Sequence, residues 1–148
     1  MSSYLTIVAA QVILNDRLST EAWDNAEDAD KTKALTMATK LIDRLNYLGN
    51  KTADAQVLQF PRGGDASVPA DILEACTEIA LKLLDGFDPE LEFENLNMIS
   101  QGYSNVRSTY DRSRVPEHLG VGIPSAYAWG LLKPYLRDFR TVDMHRAS

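Results

Sequence analysis

Apolar residues recur at helical spacing in several stretches of the chain, and the first such stretch follows Thr6. The Thr6 hydroxyl can cap a helix by accepting from an amide one turn on, and we expect this helix to end near Arg17 or Leu18. Its predicted apolar face consists of Leu5, Val8, Ala9, Val12 and Ile13.

Two longer helices are predicted to form the core. The first spans 30–48 and stops at Gly49, because a residue without Cβ takes the left-handed conformation at little cost. The second spans 69–85, since Pro69 suits a first helical position and Gly86 can close the helix. Three cations of the first of these helices point away from its apolar stripe: Lys33, Lys40 and Arg44.

The pattern changes after residue 94, where helix formers become scarce. Alternation over 97–110 predicts a strand pair or an extended arm, and 111–122 is predicted to be an irregular linker. Ser125 can cap a last helix, which Pro134 should kink or break because it cannot donate to the helical ladder. The remaining residues, 141–148, are predicted to be a tail.

These elements predict a mainly α fold: a small helical bundle with a short β-hairpin or extended arm and a C-terminal helix and tail. At 148 residues and 45% hydrophobic composition, the chain suits one domain with a real core. We divide this single domain into a helical core at 1–96, an arm and linker at 97–123, and a C-terminal helix and tail at 124–148.

Composition bounds the compartment. We expect no membrane span, because no apolar run approaches the roughly 18 residues that one needs, and no signal peptide at the N-terminus. The single cysteine, Cys76, excludes an intrachain disulfide and a multi-cysteine zinc site. These features predict a reducing cytoplasm.

Charge is divided unevenly along the chain, whose net charge is −6. Residues 1–102 carry 8 Lys/Arg against 17 Asp/Glu, whereas residues 103–148 carry 7 against 4. An acidic body repels nucleic acid at long range, because affinity for a polyanion comes mainly from neutralised phosphates. The basic end could meet an acidic partner, and a chance imbalance on a solvated surface explains the split equally well.

No catalytic grouping emerges from the sequence. His118 and His145 have no partner at metal-ligand or triad spacing, and Cys76 lies on the apolar face of a helix, where a small buried hydrophobe is expected. The segment 62–65 lacks the Gly-Lys-Ser/Thr ending of a phosphate loop. We therefore expect no enzymatic activity, no metal and no cofactor.

Aromatic residues interleaved with arginines occur in one stretch, as in a stacking platform for single-stranded nucleic acid. The members are Tyr103, Arg107, Tyr110, Arg112 and Arg114. The simpler alternative, which we favour from the sequence, is a strand with one packed face and one charged face.

Three large side chains outside that stretch are expected to pack. Trp23 and Trp129 sit among aliphatic positions and are predicted to be packing anchors. Phe60, with the proline after it, should pin its loop onto the core. Arg62 should then pair with an acid of its own subunit or of a neighbouring one.

Short motifs follow one another along most of the chain. They are Thr6, Trp23, Lys33-Ala34-Leu35, Ile42-Asp43-Arg44-Leu45, Gly49, the segment 56–62, Val68-Pro69, Ile99-Ser100-Gln101-Gly102 and the segment 131–136. In this order and spacing they resemble the small helical head–tail connector (adaptor) proteins of tailed bacteriophages. Related sequences are also labelled single-stranded-DNA-binding proteins similar to a primosomal factor.

The connector resemblance implies a structural virion protein of the phage neck, assembled in the bacterial cytoplasm. It implies a homo-oligomeric ring, commonly of twelve subunits, between the portal protein and the downstream neck or tail protein, with double-stranded DNA passing non-specifically through its channel. The candidate subunit-interface residues are Arg62, Tyr103, Arg107, Tyr110, Arg112 and Arg114. The candidate portal-docking residues are Trp129, Tyr135, Arg137, Phe139, Arg140, His145 and Arg146.

Two alternatives stay open at this point. One is a single-stranded-DNA-binding module that uses Tyr103, Arg107, Tyr110 and Arg112, which would show a steep salt dependence. The other is a small regulatory or scaffolding bundle.

Overall fold

The computed structural model describes residues 3–88 and 116–137. Its helices are α1 (Ile7–Leu14), α2 (Glu21–Asp24), α3 (Asp28–Asp43), α4 (Ala70–Leu84), α5 (Glu117–Gly120) and α6 (Ala126–Leu132), followed by a 3₁₀ turn at Lys133–Tyr135. These two ranges contain isolated bridges but no β-strand, so the mainly α prediction is confirmed. The predicted hairpin or arm at 97–110 lies outside the described residues. No helix in the two ranges is long and apolar enough to cross a membrane.

The central element is α4. Residues 75–81 are all buried, and because an amphipathic surface helix would leave a polar stripe in water, this run means that neighbours cover the middle of α4 on all sides. Those neighbours are α1, α2, α3 and α6. α4 begins at Ala70, with Pro69 at the N-cap. It ends at Leu84, one residue before the predicted end. Gly86 closes it as predicted, since its φ is +90° and the amide of the next residue donates to the Lys82 carbonyl over 3.2 Å.

The face that α1 buries differs from the predicted one. Thr6 caps the helix as expected, accepting from the Ala9 amide at 3.2 Å, but α1 ends at Leu14 rather than near Arg17. Val8 and Val12 are 75% and 62% exposed. Because the sequence of α1 is apolar nearly all round, its periodicity cannot select the buried face; packing against α4 does.

The predicted helix 30–48 ends five residues early, at Asp43. Tyr47 folds back and its hydroxyl donates to the Ile42 carbonyl over 2.6 Å, which a continuing helix would prevent. Gly49 has the expected positive φ of +74°, but it takes that conformation within a loop. Leu48, placed in the helix by periodicity, is instead more than half exposed.

The C-terminal part is more ordered than the sequence suggests. α5 occupies part of the predicted irregular linker 111–122, and the His118 Nδ1 lies 2.8 Å from the Ile123 carbonyl oxygen. The Ser125 hydroxyl caps α6, as predicted. The predicted break at Pro134 is also confirmed, since this residue lies in the 3₁₀ turn after α6.

The loop between α3 and α4 is pinned by an aromatic cluster. Phe60 is buried, and its ring meets those of Tyr4, Tyr47 and Tyr135 edge-on at centroid distances of 6.3, 4.7 and 5.7 Å. Such edge-to-face pairs add to the stabilisation from area burial. The prediction that Phe60 pins the loop onto the core is confirmed.

Candidate nucleic-acid interface

Three cations of the described residues are held by charges or rings of the protein itself. Arg17 pairs with Glu78, with 2.5 Å between Nε and Oε1. Lys31 lies 5.1 Å from the centre of the Trp23 ring. Lys133 pairs with a glutamate of α5 at 3.3 Å. The charges of these three side chains are therefore already engaged within the protein.

Arg62 is held by the loop that carries it. Its Nε donates to the Leu48 carbonyl at 3.0 Å, its Nη1 to the Gln59 side chain at 2.8 Å, and its Nη2 to the Gly49 carbonyl. The guanidinium carbon lies 6.0 Å from the centre of the Tyr47 ring. The predicted acid partner within the chain is wrong for the described residues, because carbonyl oxygens take these donors. Arg62 joins the two ends of its loop.

A second set of cations has no such partner among the described residues. Lys33, Lys40 and Arg44 are exposed, and their spacing of seven and four residues places them on one face of α3 and its C-cap. Arg137 is also exposed, and its amide donates to the Asn46 carbonyl over 3.0 Å, which brings its backbone beside the end of α3. We call Lys33, Lys40, Arg44 and Arg137 the cationic track.

The sequence of α3 accounts for this arrangement. Acids open the helix, with Asp28 and Asp30 in the first turn, and Lys40 lies in the last turn. The helix dipole favours this order, since the N-terminus attracts anions and the C-terminus attracts cations. The polar face of α3 therefore becomes more basic towards its C-terminal end, where Arg137 joins it.

Lys82 of α4 is a further exposed cation, and its surroundings differ. It lines a groove together with Asp16, Glu74 and Glu78. A polyanion that approached Lys82 would meet these carboxylates as well. Lys82 therefore serves as a reference for the cations of the track.

A groove of about 950 Å³ runs beside the track, between residues 3–8 and α3. Lys33 and Lys40 line it, together with the exposed Met37 and the buried Leu35. We call it the α1–α3 groove. Its lining contains hydroxyl, aliphatic and cationic side chains but no carboxylate.

Two carboxylates border the track: Asp30, which lies three residues before Lys33 and lines a groove with it, and Asp43. Asp43 directly precedes Arg44 and accepts a hydrogen bond from the Tyr4 hydroxyl. Burial raises the pKa of Asp43, while the hydrogen bond from Tyr4 and the charge of Lys51 act in the opposite direction. Burial also raises the pKa of Tyr4, so its hydroxyl remains a donor at neutral pH. Asp43 is thus hydrogen-bonded within the protein, although its charge still lies close to the track.

Trp129 and Tyr135, two of the candidate portal-docking residues, lie in or against the core. Trp129 is 9% exposed, and its Nε1 has no hydrogen-bond partner among the described residues; the prediction that it is a packing anchor is confirmed, as it is for Trp23, which is fully buried. Tyr135 is partly buried against Phe60. The following candidates lie outside the described residues: Tyr103, Arg107, Tyr110, Arg112, Arg114, Phe139, Arg140, His145 and Arg146.

Groups suited to metal binding or nucleophilic chemistry are not assembled in the described ranges. No cluster of three or more His, Cys, Asp or Glu side chains there could hold a metal ion. Cys76 is fully buried, and burial raises the pKa of its thiol to about 12. A thiolate is the nucleophilic form of cysteine, so this residue behaves as the small core hydrophobe that was predicted.

Sequence reasoning missed the track as a site. The orientation of Lys33, Lys40 and Arg44 away from the apolar stripe was predicted and is confirmed, and their common spacing was the available signal. The contribution of Arg137 was not visible in the sequence, because it depends on the pairing of Tyr47 with Leu136 across 89 positions of the chain.

Comparison with known proteins finds a match to a family model. A family model described as "Putative DnaT-like ssDNA binding protein" matches residues 1–146. No curated protein matches the chain, and no solved structure does.

This match overturns the assignment to phage head–tail connectors, and with it the structural role in a neck, the virion terms and the support for portal, tail and ring partners. The motifs behind that assignment were mostly helix caps and apolar spacings, which many small helical bundles share because they bury the same kind of stripe. The label that related sequences carry, single-stranded-DNA-binding protein, agrees with the match. Because the match covers nearly all of the sequence, the chain belongs to the DnaT-like ssDNA-binding protein family.

Proposed function

We propose that this protein binds single-stranded DNA and that the phosphates lie along the cationic track. The observation that carries the proposal is that Lys33, Lys40, Arg44 and Arg137 are exposed together and have no ion-pair partner among the described residues. The family description supports DNA as the ligand. A cation without a protein partner can neutralise a phosphate at no cost to an existing contact.

The dimensions of the track suit a short stretch of single strand. Lys33 and Arg44 are eleven residues apart, or about 16 Å along a helix that rises 1.5 Å per residue. A fully stacked strand carries one phosphate about every 3.4 Å, so at most roughly five nucleotides span this distance, and fewer where the strand is unstacked. The net charge of −6 repels DNA at long range, and the affinity must therefore come from local contacts.

The proposal is for a binding protein without a reaction of its own, present in a bacterial cytoplasm. It does not depend on the aromatic and basic residues of the segment 103–114. Those residues stay sequence-based candidates for further contacts with the same strand.

The test compares two variants of equal charge change. Lys40→Ala removes a cation of the track, and Lys82→Ala removes one that lies among carboxylates. Fluorescence anisotropy with a labelled thymidine oligonucleotide, repeated over a range of salt concentrations, gives the affinity and its salt slope. Each phosphate contact contributes about −0.7 to that slope for a single strand.

We expect Lys40→Ala to weaken binding and to reduce the slope by about 0.7, and Lys82→Ala to change neither by a comparable amount. Combined replacement of Lys33, Lys40, Arg44 and Arg137 by alanine should remove most of the salt dependence. Absence of binding by the unaltered protein at low salt, or equal effects of the two single variants, would contradict the proposal.

A further inference from the structure

The α1–α3 groove has features that phosphate contacts alone do not require. Its lining includes the exposed side chains of Val8 and Met37, which are 75% and 52% exposed. Leu35, beneath them, is buried. An apolar trough of this kind beside a row of cations offers contacts to a ligand that is apolar on one side and anionic on the other.

Two other grooves of the described residues are lined by acidic as well as basic side chains. The groove around Lys82 includes Asp16, Glu74 and Glu78. A third groove, between α3 and the end of α4, is lined by Asp30 and Asp88 together with Lys33. The α1–α3 groove has only Lys33 and Lys40 as charged lining residues. A polyanion is therefore favoured here over the other two places.

We propose that the α1–α3 groove receives unstacked bases of the DNA strand whose phosphates lie on the cationic track, an inference that rests on the proposed function. Lys33 and Lys40 belong to both the track and the lining of the groove. A strand whose phosphates lie on these lysines has its bases within reach of Val8 and Met37. The two lysines are seven residues apart, or about 10 Å along α3, which leaves room between them for bases to turn inward.

Single-stranded nucleic acid suits the lining better than a duplex does. The flat faces of unpaired bases can lie against apolar and aromatic side chains, which are here Val8, Met37 and Tyr4. Thr32 and the buried Thr36 also line the groove. The Thr32 hydroxyl donates to the Asp28 carbonyl over 3.0 Å, and its oxygen can still accept a hydrogen bond from a base edge. A duplex keeps its bases stacked inside and presents mainly phosphates, so the groove gives a physical reason for preferring a single strand.

The experiment separates base contacts from phosphate contacts. The full chain is titrated with a thymidine oligonucleotide and with an abasic oligonucleotide of the same length, which has the same phosphates but no bases. Binding is measured at one salt concentration for the unaltered protein, for the double variant Val8→Ala/Met37→Ala, and for the control Val12→Ala. Val12 is an exposed valine of the same helix that does not line the groove.

We expect the unaltered protein to bind the thymidine strand about tenfold more tightly than the abasic strand, because base faces that cover Val8 and Met37 remove apolar surface from water. The double variant should lose most of that difference and keep its affinity for the abasic strand. Val12→Ala should behave like the unaltered protein. Circular dichroism of each variant checks that the helices are retained. We expect them to be retained, because all three side chains are exposed.

Two results would overturn the inference while leaving the proposed function intact. One is equal affinity of the unaltered protein for both strands with a normal salt slope. The other is an unchanged preference for thymidine in the double variant. In that case sedimentation would compare self-association of the free proteins, and its loss in the double variant would assign the groove to a second copy of the chain. Failure to bind either strand would overturn the inference together with the proposed function.

Discussion

Arg62 in the loop 47–62 and the three cations on the exposed face of α3 represent two different uses of positive charge. Arg62 directs its donors at carbonyl oxygens of its own loop and lies near the Tyr47 ring. Lys33, Lys40 and Arg44 project from a regular helix and have no ion pair among the described residues. All four side chains are positively charged, yet among them it is the three on α3 and its C-cap that are available to a ligand.

The difference shows that the partners of a cation indicate its role better than its place in the sequence does. Arg62 follows an aromatic-proline pair and precedes two glycines, which made it a candidate interface residue. In the structure those neighbours support a structural role instead, in which the hydrogen bonds of Arg62 join the two ends of the loop; we call these bonds the clasp. Phe60 anchors the loop, and Gly63 and Gly64 take positive φ angles of 65° and 87° just after the arginine.

The largest effect on stability is expected for Arg62→Ala, which tests whether Arg62 has a structural role. It leaves several loop carbonyls without their charged donor, and we expect the free energy of unfolding to fall by about 2 kcal/mol. Arg62→Lys should recover only part of this loss, because an ammonium cannot reproduce the planar fork. Urea denaturation measures both variants. Full stability in Arg62→Ala would show that the clasp has no structural importance.

The pH dependence of the free energy of unfolding tests the burial of Cys76 in the core. Burial raises the pKa of Cys76 to about 12, whereas an unfolded cysteine titrates near 8.5. A raised pKa means that the stabilisation is complete below about pH 8.5 and is lost as the pH rises towards 12. We expect the free energy of unfolding to fall by about 1 kcal/mol per pH unit between pH 9 and 10.

Replacement of the thiol provides the control for this prediction. Cys76→Ala should be less stable at neutral pH, because it leaves a small cavity, but its stability should fall less steeply between pH 9 and 10. The buried hydroxyls of Tyr4 and Tyr47 also have raised pKa values, and they add a similar loss above about pH 10 in both proteins. Parallel curves for the two proteins below pH 10 would count against a buried, protonated thiol.

The smallest effect on stability is expected for substitutions in the cationic track, because its side chains are proposed to contact a ligand and not the fold. Lys33→Ala and Lys40→Ala should each change the free energy of unfolding by less than about 0.5 kcal/mol, because these side chains are exposed and have no ion pair within 3–88 and 116–137. Thermal melts of the two variants, with Arg62→Ala as reference, measure this. A loss as large as that of Arg62→Ala would mean that the lysines are held by contacts within the fold.

The helices that form the core could largely be predicted from the sequence, because their local signals agree with their packing. Pro69 and Gly86 bracket α4, and Ser125 caps α6. Prediction failed where tertiary contacts decide. Tyr47 folds back onto Ile42 and ends α3 early, and the buried face of α1 depends on α4 rather than on its own uniformly apolar sequence.

Only part of the candidate site could be predicted. The spacing of Lys33, Lys40 and Arg44 indicated an exposed face, but whether an acid of the described residues pairs with them is decided only by the folded structure. Arg137 reaches the end of α3 through a backbone hydrogen bond with Asn46, which lies far away in sequence. The α1–α3 groove likewise forms only when the N-terminal residues pack beside α3.

The most direct test of the central claim, that the exposed face of α3 carries the DNA, is lysine labelling in the presence and absence of a thymidine oligonucleotide. Acetylation of each lysine is quantified by mass spectrometry at low salt. We predict that DNA protects Lys33 and Lys40 while Lys82 keeps its reactivity. Unchanged labelling of Lys33 and Lys40 under conditions where the DNA is bound would contradict the account.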